Sequence, residues 1–209
     1  MKVLLINGSP HPDGNTSIAL SEVADTLAKE GIETETLWIG TKPLQGCIAC
    51  YKCSTTGVCV FRDDLYVKTR EAVSRADAIV IGSPVYYAGP SGSLCALLDR
   101  LFYSSGKLLR YKPAASVVCC RRGGASAAFD RLNKYYTILS MPVVSSQYWN
   151  SVHGRERGEA RYDEEGLQTM RTLGRNMAWM LKSIHNPQSP AAPEPEPRRA
   201  TNFIRNDHE

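Results

Sequence analysis

The sequence predicts an α/β fold in which helices cover both faces of a doubly wound parallel sheet. Between residues 1 and 185, short apolar runs alternate with longer segments whose apolar residues recur at helical spacing. One of these runs, residues 78–82, is apolar throughout, which is typical of a strand buried on both faces of a parallel sheet. Strands and helices that alternate in this way predict right-handed βαβ units and therefore a parallel sheet.

The first βαβ unit has the clearest pattern. Residues 2–6 are aliphatic and β-branched, and a segment rich in turn residues ends this first predicted strand. The next helix is predicted from Thr16, because apolar residues then recur every three or four positions until Gly31 closes the pattern. Residues 33–38 alternate weakly between polar and apolar side chains, which predicts the second strand.

The middle of the chain contains a long loop and the third strand. Residues 43–61 have no sustained period and are predicted as an irregular loop. Asp63 and Asp64 then supply an N-cap and first-turn charge for a helix that ends near residue 76. After the strand at residues 78–82, a loop at residues 83–92 leads into another helix. The apolar stripe of that helix consists of Leu94, Leu97, Leu98 and Leu101.

The remaining elements complete one predicted domain at residues 1–185. Residues 115–120 predict the fourth strand, and residues 125–139 predict the helix that follows it. A short fifth strand is predicted at residues 141–145, and a last helix with one apolar face at residues 163–184.

Residues 186–209 differ in composition from the domain, since they hold five of the 12 prolines. This bias predicts a proline-rich extended tail. Two interpretations of the tail remain open: a disordered end, or a docking arm that carries Phe203 and Ile204.

The composition excludes several classes of protein. The chain has 209 residues, 43% hydrophobic and 22% charged, which suits a globular domain and excludes a collagenous or wholly disordered chain. Its 25 basic and 21 acidic residues are interspersed, and the net charge of +4 is too weak to indicate a nucleic-acid partner. No apolar run approaches the ~18 residues of a membrane span or the core of a signal peptide. We therefore expect a cytoplasmic protein without a membrane partner.

The loop after the first strand has the composition of an anion site. It precedes the start of a helix, where free backbone N–H groups and the helix dipole favour negative charge. It lacks both the Gly-Lys-Ser/Thr ending of a P-loop and the glycine spacing of a dinucleotide fingerprint. An alternative is that Thr16 and Ser17 only cap the helix. The side chains that would suit a phosphate monoester are those of Ser9, Asn15, Thr16 and Ser17.

Two more polar loops follow the third and fourth predicted strands. Residues 83–90 combine backbone amides with Tyr86 and Tyr87, which suits a flat ring with polar edges. Residues 121–124 add two arginines and two glycines. Because ligands of doubly wound sheets bind at the carboxyl ends of the strands, the three loops together predict one ligand site.

These loops resemble those of the NADPH-dependent FMN reductase group of flavodoxin-like flavoproteins. The resemblance rests on Gly8-Ser9-Pro10 through Gly14-Asn15-Thr16, on residues 82–87 and on Leu98-Asp99-Arg100, and it covers about residues 1–184. It implies an FMN-dependent oxidoreductase with a five-stranded sheet in the order 2-1-3-4-5. No catalytic side chain is then required, because the flavin carries the redox chemistry. By resemblance, the FMN-binding residues are Ser9, His11, Asn15, Thr16, Ser17, Pro84, Val85, Tyr86, Tyr87, Arg122, Gly123 and Gly124.

Four of the seven cysteines lie close together in the loop at residues 43–61. They are Cys47, Cys50, Cys53 and Cys59. Their spacing is too compact for a zinc ribbon, but four such thiolates can hold one iron–sulfur cubane. The motif is similar to that of the archaeal-type iron–sulfur flavoproteins, and this resemblance implies a [4Fe–4S] cluster near the flavin. Free thiols, and zinc in the same thiolates, remain alternatives.

Three functions are consistent with these features. The first is an FMN-dependent oxidoreductase with a [4Fe–4S] cluster, which passes electrons from NAD(P)H or a ferredoxin to a small acceptor. The second is a clusterless NAD(P)H-dependent reductase of quinones, nitro compounds or free flavin. The third is a non-enzymatic electron carrier.

The family resemblance also implies a homodimer or homotetramer with the site near a subunit boundary. Cys95, Cys119, Cys120 and His153 are expected to be structural.

Overall fold

A parallel sheet forms the centre of the protein in the computed structural model, which describes residues 1–197 and 199. Its strands follow the spatial order β2-β1-β3-β5-β6, and β4 pairs antiparallel with β3 outside this path. The parallel strands alone therefore have the predicted order 2-1-3-4-5. The strands are β1 (Lys2–Asn7), β2 (Glu33–Trp38), β3 (Ala78–Tyr86), β4 (Gly89–Pro90), β5 (Ala114–Cys120) and β6 (Ser151–His153).

Seven α-helices are described, and the five longest confirm the helices that the sequence predicts. Asp63 caps the helix at Asp64–Arg75 as expected, because its carboxylate accepts the backbone N–H of Tyr66 at 3.1 Å. A 3-10 helix at Glu159–Tyr162 precedes the last one. The helices are α1 (Asn15–Lys29), α2 (Cys53–Thr56), α3 (Asp64–Arg75), α4 (Gly92–Ser104), α5 (Gly106–Leu109), α6 (Ala125–Thr137) and α7 (Glu164–Ile184).

The sheet separates two apolar cores. Successive side chains of a strand point to opposite faces, so Leu4 and Ile6 pack on one side of β1 while Val3 and Leu5 pack on the other. Helices α3, α4 and α6 cover the first side, and α1 and α7 cover the second. All four side chains are fully buried, as in a strand covered on both faces.

The fifth parallel strand is not where the sequence predicts it. Residues 141–145 form no strand and contribute only an isolated bridge, in which Val143 lies opposite Ala114. The strand beside β5 is β6, which pairs with residues 118–120. The earlier segment bonds only to the beginning of β5, where the N–H of Ala114 donates to the carbonyl of Pro142 at 2.9 Å and the N–H of Val144 donates to the carbonyl of Ala114 at 2.8 Å, and β6 pairs with the end.

Two predicted loops also contain regular structure. Residues 83–86 extend β3 beyond its predicted end and turn back through a tight hairpin into β4. Tyr87 and Ala88 at the tip have φ of 50° and 60°, as the two central residues of a type I′ turn require. The cysteine segment at residues 43–61 contains the single turn α2 in a loop that is otherwise irregular, as expected.

The described part of the tail, residues 186–197 and 199, contains no helix or strand. Phe203 and Ile204, the predicted anchors of a docking arm, lie outside the described residues. Among the helices in the described part of the chain, none has both the length and the apolar character to cross a membrane.

Helices α7 and α1 pack so closely at Gly174 that we expect a larger residue there to destabilise the protein. A Cβ at this position would lie 2.7 Å from Cβ of Thr26, so Gly174→Ala should overpack the contact and lower the free energy of unfolding by ~1–3 kcal/mol. Gly92→Ala is the matched control, because a Cβ there meets nothing within 4 Å. Its stability should be unchanged or higher by up to ~1 kcal/mol. Urea denaturation checks both, and equal stabilities of the two variants would contradict this packing.

Candidate functional site

A groove lies where β1, β3 and β5 end, at the carboxyl edge of the sheet. Seven of the predicted binding residues line it: Ser9, His11, Asn15, Thr16, Pro84, Val85 and Tyr86. Five others do not: Ser17, Tyr87, Arg122, Gly123 and Gly124. The lining also includes residues that are not among the predicted FMN-binding residues: Gly14, Cys119, Cys120, Arg121, Gly154, Arg155, Glu156 and Arg157.

The loop after β1 leaves hydrogen-bond donors free at one end of the groove. The N–H of His11 donates to Oγ of Ser9 at 3.1 Å, so the Ser9 hydroxyl acts as an acceptor there and its own proton remains available. Helix α1 begins after Gly14 without a side-chain cap and without an acidic residue in its first turn. Its first N–H groups are therefore open to an anion, and the alternative that Thr16 and Ser17 cap the helix does not hold.

Close backbone packing fixes this loop against β3 and α4. The N–H of Gly8 donates to the carbonyl of Gly82 at 2.8 Å, and Oγ of Ser91 donates to the carbonyl of Gly8 at 2.7 Å. A Cβ on Gly8 would lie 2.5 Å from the Leu94 side chain and 2.9 Å from the carbonyl oxygen of Gly82, so a larger residue would crowd both. Trp38 at the end of β2 adds a bond from its indole N–H to the carbonyl of Ser9 at 2.8 Å.

Asn15 connects the loop to the segment at residues 154–160. Its Oδ1 accepts the backbone N–H groups of Gly158 at 3.0 Å and Ala160 at 3.1 Å, and its Nδ2 donates to the carbonyl of Glu156 at 2.9 Å. Gly154 packs against the same amide, where a Cβ would lie 2.7 Å from Nδ2. The Asn15 side chain therefore holds residues 154–160 over the groove.

The segment at residues 154–160 brings charged side chains of both signs to the groove, and Arg155 pairs with Glu156 at 3.2 Å. It contributes Arg155 and Arg157, and Arg121 lies in the same lining. Arg157 pairs with Asp13, which ties the segment to the loop after β1. The carboxylate of Glu159 accepts the backbone N–H groups of Arg155 at 2.7 Å and Glu156 at 2.9 Å, and these bonds hold the pKa of Glu159 below its usual range.

The two cysteines in the groove are buried and unreactive in character. Burial raises the pKa of Cys119 to about 12 and also raises the pKa of Cys120. A thiol is a weak nucleophile unless it is ionised, so both thiols act as neutral lining groups. Their burial is what is expected of structural cysteines.

The hairpin between β3 and β4 forms one wall of the groove. Tyr86 faces the groove with about half of its surface exposed, whereas Tyr87 at the tip is fully exposed. Gly124 supports the hairpin from the loop between β5 and α6, because a Cβ there would lie 2.9 Å from Cα of Ala88. Its φ of 89° also disfavours any larger residue. The loop at residues 121–124 therefore shapes the hairpin through Gly124, while Arg121 reaches the groove.

A second cavity contains all four clustered cysteines. Cys47, Cys50, Cys53 and Cys59 line it together with Phe61, Arg100 and Tyr103, and none of its lining residues belongs to the groove. Burial raises the pKa of Cys53, and the neighbouring thiols raise it further. Within residues 1–197 and 199, no three cysteine, histidine or acidic side chains are close enough to hold a metal ion as they stand.

Comparison with known proteins identifies a family. Residues 1–156 match the family of NADPH-dependent FMN reductases. An iron–sulfur flavoprotein of Methanocaldococcus jannaschii is 36% identical over 192 residues, which cover 88% of this chain and 99% of the relative.

Two solved structures share the fold. An NAD(P)H:quinone oxidoreductase from Methanothermobacter marburgensis has a TM-score of 0.63 at 15% identity and covers 85% of this chain and 96% of its own. A flavodoxin from the domain Archaea has a TM-score of 0.59 at 14% identity and covers 87% of this chain and 99% of its own. At these identities the likeness concerns the fold alone.

Asn15→Ala should release the segment at residues 154–160 without unfolding the sheet. The variant loses three hydrogen bonds and leaves the N–H groups of Gly158 and Ala160 without their acceptor. Amide protection at residues 158 and 160 should fall by about tenfold or more, and affinity for FMN should fall with it. Ser17→Ala, in the same turn but outside the groove, should keep wild-type protection. Hydrogen exchange measures the effect, and unchanged protection in Asn15→Ala would contradict this role.

Proposed function

The chain belongs to the NADPH-dependent FMN reductase family, and from this we propose that it binds FMN in the groove and transfers electrons to a small-molecule acceptor. The observation that carries the proposal is the convergence of three strand ends on one groove that has free donors at one end and a hairpin wall beside it. Flavin-dependent oxidoreductase activity follows from the family. The specific site and the electron partners are the proposal.

The phosphate of FMN fits the end of the groove at the loop after β1. The Ser9 hydroxyl has a free proton, and the uncapped start of α1 presents backbone N–H groups. Arg121 adds positive charge. In this arrangement the Asn15 side chain acts indirectly, because its hydrogen bonds hold the segment at residues 154–160.

The ring of FMN fits the hairpin wall. Pro84, Val85 and Tyr86 line this side, and the backbone of the hairpin is fixed by its pairing with β4. When bound, FMN supplies hydride and single-electron chemistry that no side chain of the groove can supply. The protein residues bind and orient the cofactor, and the neutral thiols of Cys119 and Cys120 leave the groove without a competing nucleophile.

We further propose that Cys47, Cys50, Cys53 and Cys59 hold a [4Fe–4S] cluster. Four soft thiols line one cavity, which is the donor set that such clusters use. Residues 47–50 lie outside any helix or strand and α2 is a single turn, so modest movement of the thiols can bring them into ligating positions without disturbing the sheet. The cluster would supply one-electron transfer next to the two-electron chemistry of the flavin.

A clusterless reductase is the second candidate. The observation that favours it is that the described cysteines are not arranged as a metal site. In both candidates NAD(P)H can be the electron donor, whereas a ferredoxin donor suits only the protein with a cluster.

All seven cysteines are free thiols, which supports a reducing compartment such as the cytoplasm.

The identity of the cofactor can be tested directly. Protein heated to release its ligand should yield FMN by mass spectrometry, because the loop after β1 suits a terminal phosphate and lacks the glycine spacing of a dinucleotide fingerprint. Ser9→Ala should weaken FMN binding by ~1–3 kcal/mol through loss of one bond to a charged acceptor. Release of FAD or NAD, or a wild-type protein that binds no FMN, would refute the proposed site.

The cluster should be separable from the flavin, because the two cavities share no lining residue. Cys50→Ser or Cys53→Ser replaces a soft ligand with a poor one, so iron and acid-labile sulfide should fall while FMN stays near one per chain. Cys95→Ser, a cysteine outside the cavity, is the control and should keep its iron. Wild-type protein made under anoxic, iron-replete conditions without iron or sulfide would establish the clusterless candidate.

We also propose a homodimer or homotetramer. The exposed large aromatic side chains include Tyr87, Tyr148 and Trp149. Tyr87 lies at the hairpin tip, and Tyr148 and Trp149 are neighbours in the sequence whose ring centroids lie 5.1 Å apart. Burial of such side chains between subunits would stabilise the assembly. Sedimentation velocity at micromolar concentration should give a species of two or four chains, and a monomer alone would refute the proposal.

A further inference from the structure

Arg100 is a buried cation at the base of the cysteine cavity. Only 1% of its surface is exposed, and the side chain extends from α4 beneath the segment at residues 45–63. Its guanidinium lies 5.0 Å from the ring centre of Tyr66 and 5.8 Å from that of Phe61. A charge in such a position requires compensation by hydrogen bonds and an opposite charge.

The hydrogen bonds of Arg100 close the cysteine segment at both ends. One terminal nitrogen donates to the carbonyl of Gln45 at 3.1 Å, two residues before the first cysteine. The other donates to the carbonyl of Phe61 at 2.7 Å, two residues after the last cysteine, and pairs with the carboxylate of Asp63. One side chain therefore holds together two points that are sixteen residues apart in the chain.

One donor of Arg100 has no partner. Its Nε–H is buried and makes no hydrogen bond within the described part of the chain. Arg100 lines the same cavity as Cys47, Cys50, Cys53 and Cys59. Because a buried N–H group without an acceptor is costly, its position beside the thiols indicates that an acceptor belongs in the cavity.

We propose that Arg100 closes the cysteine segment and donates its Nε–H to a sulfur of the thiolate-bound centre, which raises the reduction potential of that centre. This inference rests on the proposed function, since it requires a cluster in the cavity. A [4Fe–4S]²⁺ core with four thiolates carries a charge of −2, and reduction by one electron makes it −3. A nearby N–H donor stabilises the more negative state, so its loss should make reduction harder.

The test is a redox titration of the anaerobically prepared holoprotein, followed by electron paramagnetic resonance, with dithionite as the electron donor. Arg100→Lys keeps the positive charge but removes the Nε–H donor. Its cluster should be reduced about tenfold less favourably, a shift of about 59 mV to lower potential for one electron. Asp63→Asn keeps the helix cap and removes the compensating negative charge, so its potential should shift upward.

The matched control is Arg70→Lys. Arg70 also donates to a carbonyl of the cysteine segment, that of Gly57 at 3.5 Å, and also has a buried Nε without a partner, but it does not line the cavity. Its cluster potential should equal that of the wild type. The potential of the flavin, measured in the same samples, should be unchanged in all three variants.

A second measurement uses metal-free protein and does not depend on the cluster. Arg100→Lys weakens the hydrogen bonds to the carbonyls of Gln45 and Phe61, so the cysteine segment should open more often. Alkylation of the half-buried Cys53 and Cys59 should then be about tenfold faster than in the wild type. In Arg70→Lys the alkylation rate should be unchanged. If Arg100→Lys does not fold, the potential of Asp63→Asn decides.

The outcomes separate this inference from the proposed function. A wild-type cluster whose potential is the same in Arg100→Lys and Asp63→Asn overturns the role of Arg100 and leaves the proposed function intact. The same holds if the alkylation rate of Arg100→Lys equals that of the wild type. A folded wild-type protein that takes up no iron overturns this inference and the proposed cluster, and it leaves the proposed FMN site intact.

Discussion

Burial of the parallel sheet on both faces is the constraint on which the rest of the structure depends. The side chains of β1, β3 and β5 alternate between two apolar cores, so neither face of these strands can hold a polar ligand. Polar chemistry is confined to the loops at the ends of the strands. The three loops at the carboxyl edge meet in one groove because neighbouring parallel strands end at the same level, as the hydrogen bond between Gly8 and Gly82 illustrates.

The cysteine segment follows a different principle. It crosses the side of the sheet covered by α3 and α4, and its position is set by the hydrogen bonds and the ion pair of the buried Arg100 rather than by strand pairing. Asp63 both caps α3 and pairs with Arg100, so the start of the helix and the closure of the segment depend on the same carboxylate. The groove and the cysteine cavity are therefore supported by separate interactions, as two separable cofactors require.

Most of the fold could be predicted from the sequence, because long elements have strong periodicity. The helix at Glu164–Ile184 and the strand core at residues 78–82 follow directly from their apolar patterns. The three-residue strand β6 could not be predicted, since it is too short to show a pattern and depends on its neighbour β5. The contribution of residues 154–157 to the groove was missed for a similar reason: the segment is held by Asn15, more than 140 residues earlier in the chain. Arg100 did have a signal, because it lies within the apolar stripe three residues after Leu97.

The central claim is that one α/β domain carries a flavin at the edge of its sheet and an iron–sulfur centre in the cysteine segment. The absorption spectrum of protein purified without oxygen tests it most directly, because flavin and cluster absorb in overlapping but distinguishable bands. We expect flavin bands superimposed on a broad cluster absorbance that bleaches on reduction. A spectrum with neither contribution would contradict the account, and flavin bands alone would remove the iron–sulfur centre from it.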